Sequence, residues 1–105
     1  MSAPGDQPTR YRVVYSERVR AALRLLLARA DAVDMRQVVA AAVREIDARL
    51  QIYPQFGEPL RDMETEGETL WVGAVEPLVV HYVLDDPRRL VFVVTPFKTL
   101  AHLGL

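Results

Sequence analysis

The chain has 105 residues, of which 50% are apolar and 26% charged, an ordinary composition for a single globular domain. Disorder along the whole chain is excluded, because that much apolar surface offsets chain entropy. The absence of cysteine excludes a disulfide framework, a thiol nucleophile and a cysteine-ligated metal or cluster, and suits a cytoplasmic location. The net charge of −1 argues against a free-standing nucleic-acid binder, which usually shows a basic excess. The charge is unevenly spread: residues 1–53 carry nine arginines against six acids, and residues 54–105 four basic residues against eight acids. No apolar run reaches the ~18–20 residues of a membrane span, so no membrane partner is expected.

Residues 1–9 hold two prolines, a glycine and no apolar periodicity, and read as a flexible tail rather than a secretion signal. A single domain is expected over 10–105. Tyr11 to Tyr15 is a β-branched and aromatic run, which predicts a strand. Ser16 then stands where a side chain can cap a helix. Val19, Leu23, Leu26, Leu27 and Ala30 share one helical stripe, whereas Arg18, Arg20, Arg24 and Arg29 lie mostly off it. The first helix is expected over 17–31. Asp34 with Gln37 three residues on resembles a capping box and opens a second helix with the stripe Val39, Ala42, Val43, Ile46 and Leu50. That helix should stop before Pro54, because a residue preceding proline disfavours helical geometry.

The stretch 54–68 contains two prolines, two glycines and a run of acids, so it reads as a loop pinned by Phe56 and Leu60. Strands are expected over 69–75, 78–84 and 90–95, with turns at Glu76–Pro77 and at 85–88. Pro77 belongs at a strand start, since it cannot donate to a central ladder. The runs at 78–84 and 90–94 lack clean alternation, so both faces of the sheet should be at least partly buried. The order of elements gives an α+β fold: an N-terminal strand, a helical hairpin, then three antiparallel strands in one sheet with the helices on one face.

Three segments together resemble the RelE/ParE superfamily of bacterial toxins. They are YRVVYSERVRAAL (11–23), IYPQFGEPLRDM (52–63) and WVGAVEPLVVHYVLDDPRRLVFVV (71–94). Segment 11–23 resembles the family's opening strand and its step into helix one. Segment 52–63 resembles the stretch that leads into "G-x-P-L" after helix two. Segment 71–94 resembles the closing hairpin with its acidic turn. The likeness covers residues 10–98 and rests on element order rather than on one specific motif.

The resemblance implies a small toxin-like domain of a toxin–antitoxin system. Members either cleave mRNA on the ribosome or inhibit DNA gyrase, and a cognate antitoxin holds them inactive. The ribonuclease members carry a basic and aromatic cluster on the sheet, which can move a proton from the ribose 2′-OH and stabilise the phosphate. In this chain the middle strand has Leu78 or Val79 at the position where the family places arginine. The residues that match the cluster are Arg61, His81, Tyr82 and Lys98.

The expected function is therefore a toxin-like domain that acts by binding, with weakened or absent nuclease chemistry. In a nuclease reading, Arg61, His81 and Lys98 are the catalytic candidates: Arg61 and Lys98 hold phosphate, and His81 is the acid or base. Arg61, Trp71, Tyr82 and Lys98 are the candidates for contact with a target or an antitoxin. A third reading is a non-toxic interaction or dimerisation module, possible as a homodimer.

The residues also carry plainer roles. A histidine within an apolar strand is commonly a packed residue with one hydrogen bond. Arg61 stands where it can pair with Asp62 or Glu58, at little energetic gain. Trp71 is either core or a binding hot spot. Arg88 and Arg89 read as a solvated loop pair. His81, His102, Asp85 and Asp86 match no zinc spacing, and the acids of 62–68 lack the order of a calcium loop. No cofactor and no metal are expected.

Overall fold

The computed structural model describes residues 10–60 and 68–99. In chain order it contains β1 (Arg12–Tyr15), α1 (Glu17–Ala32), α2 (Arg36–Ile52), a single 3-10 turn (Pro54–Phe56), β2 (Glu58–Pro59), β3 (Thr69–Val75), β4 (Leu78–Asp85), β5 (Leu90–Val93) and β6 (Lys98–Thr99). The fold is α+β, as the element order predicts.

Ser16 caps α1: its Oγ accepts the backbone N–H of Val19 at 3.1 Å, satisfying one of the four unpaired donors at the helix start. Asp34 does not cap α2. It adopts a left-handed backbone, φ 60°, a region that aspartate tolerates better than most side chains. The chain there closes α1, with Met35 N donating to the Ala30 carbonyl at 2.7 Å. Helix α2 begins at Arg36 with no side-chain cap, so the capping-box reading of Asp34 and Gln37 is corrected. A turn residue, rather than a cap, joins the two helices.

The sheet is mixed. Its order is β1-β5-β4-β3-β2, with β6 also pairing β4. The β3–β4–β5 run is antiparallel, but β1 joins it parallel to β5. A chain that leaves β1 through two helices can return in the same direction, whereas a tight hairpin cannot.

The helices pack on one face of the sheet. Val19, Leu26 and Ala30 of α1, and Val39, Ala42, Ile46 and Leu50 of α2, meet Leu78, Val80, Tyr82, Leu84, Val91 and Val93 in one buried cluster. The apolar stripes read from the sequence are thus the core-facing stripes, with Leu23, Leu27 and Val43 half-buried at their margins.

The segment after α2 is tied to the sheet by aromatic packing. Phe56 stacks on Tyr82 with ring centroids 6.0 Å apart, and Trp71 stacks on the same tyrosine at 6.5 Å. The Tyr82 hydroxyl donates to the Pro54 carbonyl at 2.5 Å. Gly57 is required here by close approach, because a Cβ at that position would lie 2.3 Å from the Val72 carbonyl oxygen. Beyond it, β2 adds two residues to the edge of β3, where the sequence predicts only a loop.

The β4–β5 turn is also tied down. Arg88 pairs with the buried Asp85, the Arg89 guanidinium lies over the Tyr11 ring at 5.1 Å, and the Tyr11 hydroxyl donates to Asp86. Arg88 and Arg89 are both exposed, as expected of a solvated loop pair, and each also contacts one neighbour. These contacts hold the start of β1 against the hairpin.

Candidate functional site on the uncovered sheet face

Side chains alternate along a strand, and β4 divides its residues accordingly. Leu78, Val80, Tyr82 and Leu84 point into the helix-covered core and are buried. Val79, His81 and Val83 point the other way and are only half-buried. The register sets Val72 of β3 beside His81, Phe92 of β5 beside Val83, and Lys98 of β6 beside Val79. His81 and Lys98 therefore share the face opposite the helices, one strand apart and offset by two residues along β4. The remainder of this face is mainly apolar and ends in the exposed Val94, but the exposed Glu58 of β2 stands beyond Val72 in the same row as His81. The expectation that both faces are at least partly buried is met unevenly: one is packed, and the other is covered by no described helix.

The His81 ring is half-buried, and its Nδ1 is shielded from water with no hydrogen-bond partner among the described residues. Its pKa lies below the usual histidine value, first because burial disfavours the charged ring and second because of the Lys98 charge. At neutral pH the ring is uncharged, so it can accept a proton but is a poor reservoir of one. Lys98 is exposed and offers a point charge.

Tyr82 is not part of this face. It is fully buried, and burial pushes its hydroxyl pKa up to about 12, with a hydrogen bond from the Gly57 backbone acting in the opposite sense. As folded, it can neither touch a target nor exchange a proton near neutral pH, which corrects its reading as a contact residue. The physical reason is strand alternation: neighbours in β4 face opposite ways. Trp71 lies opposite Tyr82 in the register and packs half-buried against the core, so it is mainly a core residue. Its Nε1 is buried without a partner among the described residues.

Arg61 and His102 lie outside the described residues. Among the described residues, no group of three His, Cys, Asp or Glu side chains is placed to hold a metal ion. Nor is any described helix long and apolar enough to cross a membrane. Arg12, which shares the open face by its register with Leu90, stands at the far end of β4 from Lys98. Six residues of strand separate the two positions, about 20 Å at ~3.3 Å per residue. Together these residues can bind an anion or accept a proton at one spot, but they do not surround a phosphate.

A second concavity, on the helix side of the sheet, carries no signal in the sequence. Arg10, Arg20 and Arg44 come from three separate segments and line one cavity together. In sequence they are unremarkable charges off the apolar stripes, and only the fold brings them together.

Compared with known proteins, the chain matches no family model, no curated protein and no solved structure.

Proposed function

We propose that this chain is a RelE/ParE-like toxin-family domain that acts in the cytoplasm by binding its target, with weakened or absent nuclease chemistry. A cognate antitoxin would hold it inactive, and the target would be the ribosome with its mRNA, or DNA gyrase. The order strand, helical hairpin, three antiparallel strands supports the family reading. The observation that carries the binding reading is the make-up of the uncovered sheet face. Valines, leucines and a phenylalanine surround one uncharged imidazole and one ammonium, with the Glu58 carboxylate and the Arg12 guanidinium on the outer strands. Phosphoryl transfer needs groups that stabilise developing charge as well as a base, and this face is poor in them. An apolar face with a sparse polar centre is the usual make-up of a protein-binding surface.

The test is tightly controlled expression in a bacterial host without the antitoxin, followed by growth and by primer-extension mapping of mRNA ends. The reading expects arrest with intact mRNA, and arrest that survives His81→Ala and Lys98→Ala. Ribosome-dependent cleavage that disappears in those two variants would replace it with the endoribonuclease reading, which the placement of His81 and Lys98 on one face favours. Normal growth at high soluble expression would leave the domain as an interaction or dimerisation module in that host.

A further inference from the structure

A cavity of about 510 Å³ lies between α1, α2, the end of β1 and Arg10 before it. This volume is within the ~300–1,000 Å³ typical of small-molecule sites. Val19 and Leu23 of α1 and Val43 of α2 give it apolar walls, and Tyr15 closes one side. Arg10, Arg20 and Arg44 line it as well. All three are exposed, and none makes an ion pair among the described residues.

The one acid in the lining is already engaged. Asp47 accepts the Tyr15 hydroxyl on Oδ1 at 2.5 Å and the Gln51 amide on Oδ2 at 2.6 Å. Tyr15 stays protonated, because burial, then its bond to Asp47 and then the carboxylate charge all raise its pKa. Three arginines against one aspartate leave the lining at +2, in a chain whose net charge is −1.

We propose that this cavity binds a small amphipathic anion: a monomeric molecule with a hydrocarbon body and a carboxylate or phosphate head. The apolar walls take the body. The guanidinium groups take the head, for which their paired N–H donors are suited. A cationic head would meet a positive rim whose only carboxylate is occupied. A flat membrane surface cannot enter a concavity between two helices. The site lies on the helix side of the sheet and does not depend on the toxin-like reading of the other face.

The test is isothermal titration of the full chain with decanoate, decyl phosphate and decyltrimethylammonium, each below its micelle threshold, with backbone NMR shifts to locate the site. Both anions should bind at one site, and the cation of equal chain length about tenfold more weakly or worse, the scale of one charge-assisted hydrogen bond. The shifts should centre on Val19, Leu23 and Val43, not on Val79 and Val83. Arg20→Gln and Arg44→Gln change exposed residues, so folding should survive, and each should weaken anion binding about tenfold. Arg24→Gln, on an exposed α1 residue outside the cavity, should leave it unchanged.

Four results would overturn the proposal. The first is no binding of either anion up to roughly 1 mM. The second is equal binding of the cation, and the third is binding only to vesicles that contain phosphatidylglycerol. The fourth is a response to an acidic amphipathic peptide alone, which would assign the groove to a protein partner.

Discussion

The two faces of β4 are built from the same strand and do opposite work. Toward the helices, Leu78, Val80, Tyr82 and Leu84 are at most 5% exposed, and every polar atom the Tyr82 ring carries has a partner. Away from the helices, Val79, His81 and Val83 are half-buried, and the His81 Nδ1 has no partner among the described residues. One face has been solved as packing. The other keeps its apolar side chains half-buried, and each face holds one buried polar atom without a partner among the described residues, Trp71 Nε1 on the packed face and His81 Nδ1 on the open one. Chemistry-bearing residues in this chain therefore need to be sorted by face before they are sorted by type.

The largest expected effect is at the packed face. Tyr82→Ala removes both ring stacks and the bond to Pro54, and should cost roughly 3–5 kcal/mol in urea unfolding. Tyr82→Phe keeps the rings but strands the Pro54 carbonyl, and should cost about 1–2 kcal/mol. A loss from Tyr82→Ala no larger than that of a surface substitution would break the contrast between the faces.

The same substitution on each face sharpens it. Val80→Thr buries a hydroxyl in the core and should cost roughly 1–3 kcal/mol. Val83→Thr, three residues on and facing outward, should stay within about 0.5 kcal/mol. Equal losses at the two positions would mean that the second face is as tightly packed as the first.

The smallest effect is in pH dependence. The folded His81 pKa lies below its unfolded value of ~6.5, so on acidification the unfolded chain takes up this proton first. The contribution of His81 to stability is complete above about pH 6.5 and is lost as pH falls through the folded pKa. The urea midpoint should therefore drop between about pH 7 and pH 5, and drop less in His81→Gln. Because the Lys98 charge is the second cause of the shift, Lys98→Gln should move the His81 NMR titration upward, toward neutral pH. An unchanged titration in Lys98→Gln would separate the two side chains.

Much of this fold was legible in the chain. Apolar spacing placed both helices and their buried stripes, and β-branched runs placed β3, β4 and β5 to within a residue or two. Ser16 was legible as a cap because its role is local. The features that stayed hidden depend on residues far apart in sequence. The parallel pairing of β1 with β5 requires the return path of the helices. Asp34 reads as a cap because Gln37 stands three residues on, and only the bond from Met35 N to the Ala30 carbonyl reveals the left-handed turn. Tyr82 reads as a contact residue through the family resemblance, and it is the strand period that turns it away from His81. The arginines of the groove, at positions 10, 20 and 44, share no local pattern at all.

The most direct test of the central claim, that the uncovered face is the working surface, uses Val79→Gln/Val83→Gln. Growth after controlled induction would be compared with the unsubstituted chain, alongside circular dichroism and unfolding midpoints of both purified proteins. The account predicts arrest by the unsubstituted chain and normal growth with the double variant, while the two proteins share the same fold. Equal arrest by a folded double variant, or no arrest by the unsubstituted chain at high soluble expression, would contradict it.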